Sequence, residues 1–421
     1  MSASVSAGNF GAGESAVAGR VSLRVDGQVF TQWTSAEIVR DLKDIAGSFR
    51  LNYADTGRAG QALPAMIAIP PFFEVVREGM GFELALDGER VMTGWIDDVI
   101  LDWQGTRLTA QVTGRDKTGD LADCAALPFG PAEFSGVDLL AIAQAVCKPF
   151  GITARADVDV GAPFPRFAAN VSDTALAFLE RGARQRALLL VSDGVGGLLL
   201  THGGDSPAPA PLAVPGNIQG ISSRFSWRQR FSDYFVKGVT DPRARRAGRT
   251  APITPAMTPP ETGMVAPAAA QADEASTALG SGRATDPEIT RWRPIVYATR
   301  SQSGAITAQT QAEWALRVAR GMSYNLSYTV LDWRAAGALW RPNQVVRVTD
   351  PYSDVDREML IAGVTYSLSE KGITTMIRVA GRSAFDRINE PSPHIRRRIR
   401  TLWNQRIYNT GNAPIRPGPT P

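Results

Sequence analysis

The sequence predicts a mixed α+β protein, mainly β: two small β-barrel-like domains, an α+β insertion, a Pro/Ala-rich linker and a C-terminal tail. Three observations predict it. One β-hairpin pattern is written twice, at residues 92–116 and 361–383. Alternating apolar and polar residues, broken by turn residues, fill both flanks of the chain. Apolar residues at three- and four-residue spacing are concentrated between those flanks. Internal repetition constrains architecture more than any single motif.

The two hairpins share a glycine frame. Each has a Gly early in its first strand, Gly94 or Gly363, and a Gly at its turn, Gly105 or Gly372. Each closes on Gly-Arg, Gly114-Arg115 or Gly381-Arg382. Turn and closing glycines are nine residues apart in both, while the first strand is two residues longer in the first copy.

In chain order, residues 1–20 are small and polar and read as a flexible N-terminal arm. Strands are expected at 21–25, 36–42, 48–54 and 82–86. Asp87-Gly88, a two-residue turn, then leads into a strand at 90–101. Leu108, Ala110 and Val112 alternate with Arg107, Thr109, Gln111 and Thr113, so one face is buried and the other polar. Together these strands form the first barrel-like domain, 21–115.

Residues 116–217 read as an α+β domain. Helices are expected at 117–123 with Asp116 as N-cap, at 137–147, and at 174–186 with Asp173 as N-cap. A hairpin, 187–192 and 198–201, turns through the glycine-rich residues 193–197. Residues 218–240 return to strand pattern and join 322–382 as the second barrel-like domain. Between them, 241–321 form a linker and helix insertion. The stretch 241–287 has no aromatic residue and cannot bury enough apolar area to offset the entropy of ordering. A helix is expected at 306–320, with Trp314 and Val318 at i, i+4. The basic tail, 383–421, places Ile395, Ile399, Leu402 and Trp403 on one helical face and Arg396, Arg397, Arg398 and Arg400 over the rest.

A length of 421 residues implies several domains, and a net charge of +4 is too small to mark a dedicated nucleic-acid binder. The two cysteines, Cys124 and Cys147, lack CxxC or His-rich spacing, which argues against a zinc site or a disulfide framework. No apolar run of about 18 residues offers a membrane span. No cofactor is expected either: residues 194–197 join two strands and lack the Lys-Ser/Thr of a phosphate-binding loop.

A catalytic centre is hard to assemble, and no catalytic residue is assigned. His202 and His394 are the only histidines, and no GxSxG or HExxH occurs. Adjacent Asp97 and Asp98 point to opposite faces of a strand. Asp98 and Asp102 share a face but stand about 13 Å apart at strand rise, too far for either glycosidase geometry. The strand at 90–101 is apolar on both faces, with Val91, Trp95 and Val99 on one and Met92, Ile96 and Ile100 on the other. That suggests cover on two sides, by core and by a neighbouring domain or subunit, or a central sandwich strand. Trp95 and, in the tail, Arg396, Arg397, Arg398, Arg400 and Trp403 are the candidate partner contacts. A solvated helix, a protein-docking helix and a membrane or nucleic-acid contact all fit the tail.

The segment GRDKTGDLADCAA, residues 114–126, resembles a stretch of the baseplate hub proteins of Mu-like contractile-tailed bacteriophages, at Gly114, Arg115, Lys117, Thr118, Asp120, Leu121, Asp123 and Cys124. Residues 21–51 are similar to the opening strands of that family, and 178–201 are similar in content. The likeness spans roughly 21–382. It implies a homotrimer whose two barrel-like tube domains per chain make a pseudo-sixfold ring. One side of the ring would meet the tail tube or tube-terminal proteins, the other the central spike and other baseplate proteins. Phage DNA would pass through without sequence-specific binding. The expected location is the virion tail baseplate, after assembly in the host cytoplasm, and no enzyme activity is implied. Two rivals are a tail-associated peptidoglycan hydrolase, with Asp98, Asp102 and Glu180 as its acids, and the hub portion of a secretion-system spike.

Overall fold

Turn chemistry and period-two burial build the first flank. The computed structural model describes residues 19–55, 75–104, 107–126, 133–170, 172–186, 188–204, 206–238, 281–299 and 308–382. The arm up to residue 18, most of the Pro/Ala stretch and the tail from 383 lie outside these residues. Strands β1 (Val21–Val25) and β2 (Gln28–Phe30) turn at Asp26-Gly27, both at positive φ, as a two-residue hairpin requires. β3 (Ser35–Asp41) and β4 (Ser48–Asp55) pair antiparallel. β5 (Gly81–Leu86) turns at Asp87-Gly88 into β6 (Glu89–Gln104), followed by β7 (Arg107–Asp116). Phe82, Leu84 and Leu86 of β5 and Ala110 and Val112 of β7 are buried, as alternation predicts.

The α+β domain follows. It contains α1 (Gly119–Asp123), β8 (Glu133–Phe134), α2 (Leu139–Cys147), β9 (Thr153–Ala156) and β10 (Phe167–Ala168). α3 (Ala175–Gln185), β11 (Leu189–Ser192) and β12 (Gly197–Thr201) complete it. β12 is the centre of a three-stranded sheet, antiparallel to β11 and parallel to β9. Ile142, Val146, Phe178, Leu179, Leu198 and Leu200 form its core. Two expected caps move. Thr174, not Asp173, caps α3, its hydroxyl accepting from the Ala177 N–H at 3.2 Å. Asp173 instead accepts from Asn170 and pairs with Arg181. Asp116 lies just ahead of α1, whose N-cap is Thr118, and accepts from the Thr118 N–H at 2.9 Å.

β13 (Ser206–Pro207) and β14 (Leu212–Ala213) lead to β15 (Ile218–Phe225). Residues 227–319 then form a second compact unit. There β16 (Asp233–Gly238) lies between β17 (Ser281–Thr285) and β18 (Pro294–Thr299). Helix α4 (Ala308–Met322) contributes Ala308, Ala312, Ala315, Leu316 and Ala319 to the core of this unit, with Tyr234 and Val236. Three expectations change here. The aromatic stretch 218–240 divides, β15 joining the large sheet and β16 this small one. Residues 281–285, read as linker, form a strand that pairs antiparallel with β16 along one edge. The helix stripe is alanine-rich and does not run through Trp314 and Val318.

The first unit resumes with β19 (Tyr324–Leu331), the short pair β20 (Arg334–Ala335) and β21 (Ala338–Leu339), and β22 (Gln344–Asp350). β23 (Val355–Ser369) and β24 (Gly372–Ala380) form the last hairpin. The flanks are one continuous ladder, not two separate barrels. Its path is β15-β19-β24-β23-β3-β4-β7-β6-β5-β1-β2, with β22 beside β23 and β13 and β14 beside β22, 14 strands in all. The ladder closes into no barrel among the described residues. The join is β23: residues 355–360 pair with β22, and 363–368 pair antiparallel with β3. A single apolar cluster, from Val21 to Val379, accordingly underlies both halves. Ion pairs reinforce the join. Arg334 and Arg341 both reach Glu89, and Arg20 bridges Asp87 and Asp332.

Candidate assembly interface

The duplicated hairpin is real in register, but its equivalences are not the ones the glycines suggest. Both hairpins have a last ladder pair three positions apart in sequence, Gln104 with Arg107 and Ser369 with Gly372. Both carry one extra residue in the first strand, Asp97 or Ala362, seven residues before that strand ends. A constant shift of 265 positions therefore relates the ladders. Under this shift Gly94 corresponds to Met359, Gly363 to Asp98, Gly114 to Val379 and Gly381 to Asp116. The element the two hairpins share is the β-bulge, a one-residue insertion that twists the pair. Flanking strands correspond too: β5-β6-β7-β4-β3 in the first half matches β22-β23-β24-β19-β15 in the second.

The glycines serve separate local needs. A Cβ on Gly94 would lie 1.9 Å from the Arg115 carbonyl oxygen. One on Gly363 would lie 2.6 Å from an Arg378 nitrogen and 3.2 Å from the Arg40 carbonyl oxygen. A Cβ on Gly114 would lie 2.6 Å from the Trp95 carbonyl oxygen and 2.7 Å from the Phe49 ring, and Gly372 follows the turn at φ +106°. Gly381 lies just past β24 and is buried. Gly105 and the tail residues Arg396, Arg397, Arg398, Arg400 and Trp403 lie outside the described residues.

The two arginines also differ. Arg115 pairs with Asp97 at the bulge and with Asp123 of α1, both at 2.8 Å, and these hydrogen bonds push its pKa up. Arg382 donates to the Gly204 carbonyl at 3.2 Å and sits 3.7 Å from Glu358. Beside the bulge, Trp95 donates its indole N–H to Asp120 at 3.1 Å and covers Gly81. Nearby, Asp116 is a buried junction. It accepts from the Gly47 N–H, the Thr118 N–H and the Ser192 hydroxyl, tying β7 to the β11–β12 hairpin. Burial pushes its carboxyl above the ordinary range.

Asp98, Asp102 and Glu180 are not gathered into one centre. Asp98 accepts from Thr113 and Asp102 from Gln104, both on the hairpin, while Glu180 of α3 pairs with Arg184. The bulge at Asp97 also interrupts the alternation that had placed Asp97 and Asp98 on opposite faces.

The unusual surface is the far half of β6. Ile100, Leu101 and Trp103 are each more than half exposed, at 55%, 55% and 56%. Their counterparts in β23 include Tyr366 and Leu368, at 1% and 6%. Sequence reading noted the two apolar faces up to residue 101 but missed Trp103. The alternation Val99, Leu101, Trp103 was the available signal.

Comparison with known proteins accounts for the layout. Residues 20–116 match the model of the N-terminal domain of Mu phage baseplate assembly protein GpP-like proteins. Residues 118–202 match the second domain of baseplate hub protein gp44-like proteins, and 303–388 the fourth domain of GpP. Baseplate hub protein gp44 of Escherichia phage Mu is 30% identical over 375 residues, covering 87% of this chain and 88% of that protein. The chain belongs to the Mu-like baseplate hub family. The 43 kDa tail protein of prophage MuSo2 from Shewanella oneidensis agrees in structure, with a TM-score of 0.70 at 30% identity over 87% of this chain and 99% of that one. A tail protein from Neisseria meningitidis MC58 shares the fold, with a TM-score of 0.66 at 21% identity over 87% and 97% of the two chains. The second domain of the hub family thus coincides with the α+β domain, and the first with the flank that carries the exposed end of β6.

Proposed function

We propose that this chain is the structural hub of a contractile-tail baseplate and acts as a homotrimer that adapts sixfold to threefold symmetry. The observation that carries this is the repeated five-strand path with its equivalent bulge. Two related modules per chain, taken three times, present six similar surfaces around one axis. One side of that ring suits a sixfold tail tube or its terminal proteins, and the other suits a threefold central spike. DNA would pass along the axis without sequence-specific contacts, and the hub would reside in the virion tail. The role is read as non-enzymatic, a reading supported by the family, whose named members are baseplate proteins. Native mass spectrometry of the purified chain tests the reading. A stable trimer is expected. A persistent monomer at micromolar concentration, together with absence from the particle, would overturn it.

A further inference from the structure

In the second half, long strand β23 has two neighbours on its outer edge: β22 along residues 355–360 and β3 along residues 363–368. In the first half, β6 has only the first of these. Residues 89–95 pair with β5, and no described strand lies on the outer edge of 98–104. The missing neighbour should be the counterpart of β3. The ladder identifies that counterpart as β15, reached through β24 and β19 as β3 is reached through β7 and β4. β15 ends the ladder, paired only with β19 among the described strands. Both occupy fixed places in one sheet, so each chain displays the two halves of a junction that it makes only once internally.

We propose that the distal half of β6 pairs antiparallel with β15 of a second copy of this chain, repeating between copies the β23–β3 ladder found within each. This rests on the trimeric reading above and names the surface that builds the ring. Transferring the internal register sets Leu101 opposite Ser223, Asp102 opposite Ser222 and Trp103 opposite Ile221. Three features fit that register. Directly opposed residues share a face, so Leu101 and Trp103 fall on the face of Ile221, Ser223 and Phe225. There, Ile221, Ser223, Phe225 and Tyr352 line a groove of about 500 Å3, ready to bury side chains whose internal counterparts, Tyr366 and Leu368, are already buried. On the other face, Arg224 lies opposite Ile100, diagonally between Asp98 and Asp102 and within reach of both. The pairing also supplies backbone partners to a long edge that would otherwise be an aggregation template. Because the two edges differ, the contact is head-to-tail, and three such contacts can close a ring.

Cysteine crosslinking tests the register. Leu101→Cys with Ser223→Cys, in a Cys124→Ser background, should form disulfide-linked trimers under mild oxidation, since opposed strand positions have disulfide-compatible spacing. Both positions are exposed, so folding should be retained; Asp102→Cys with Ser222→Cys is the second pair and should behave alike. Leu101→Cys with Ser222→Cys, one residue out and on opposite faces, should not link. A trimer by native mass spectrometry in which neither in-register pair links would overturn the proposed edge while leaving the trimer standing. A chain that stays monomeric would overturn both.

Discussion

At Gly94 a single hydrogen in place of a methyl group decides whether β6 can cross the Arg115 backbone. The nearest atom to a Cβ there is a carbonyl oxygen, which cannot rotate away as a flexible side chain can. Gly94→Ala should therefore cost about 3 kcal/mol through forced backbone shifts, read as a lower melting temperature in thermal unfolding. Charge is managed just as locally at Asp173. Burial alone would raise its pKa, but hydrogen bonds from Asn170 and the pairing with Arg181 outweigh burial and hold it below the ordinary value. A carboxylate with a depressed folded pKa stabilises the protein above its unfolded pKa and loses that contribution as pH falls through the folded value. Arg181→Met should thus cost about 0.5–1 kcal/mol at neutral pH, discounted for partial exposure. The difference from the parent should shrink as pH falls through the depressed folded value of Asp173, leaving what Arg181 gains from the Ala168 carbonyl and the Phe167 and Phe178 rings.

Among the elements, the bulged hairpin is the clearest unit. Its alternation and its two-strand form were legible in residues 92–116 and 361–383, because each depends on contacts between near neighbours in sequence, whereas its length was not: β6 runs on to Gln104. The glycine frame misled by two positions, since glycines answer to whatever backbone or side chain passes close by and not to the ladder's own register. Helix starts followed a similar rule. Asp138 caps α2 through the Ala141 N–H at 2.7 Å, whereas at α3 the choice between adjacent Asp173 and Thr174 fell to the residue with extended backbone. The tail, residues 383–421, carries an element-scale expectation from sequence alone. If Trp403 anchors it on a neighbouring baseplate protein, with Arg396, Arg397, Arg398 and Arg400 around it, deleting the tail should leave trimers intact and abolish spike or tube attachment. Pull-down of baseplate components with the truncated hub measures this, and unimpaired attachment would remove the idea.

At the scale of the molecule, the two related halves are welded by the β23–β3 ladder, a common apolar cluster and the ion pairs at Glu89 and Asp87. This holds the two modules of one chain at a fixed spacing, the property that the symmetry adapter proposed above needs. The sequence alone determined the mainly β character, the turns, the α+β insertion and the existence of a doubled hairpin. Each of these is set by side-chain period and turn chemistry within a few residues. Tertiary structure alone decided that the halves share one sheet, that β16 leaves it for a smaller one, and that no described strand lies beside the far edge of β6. Every strand offers the same backbone donors and acceptors along its edge. Which edge they meet, more than 300 residues away for Tyr366 and Ile38, is therefore settled by packing and not by local pattern.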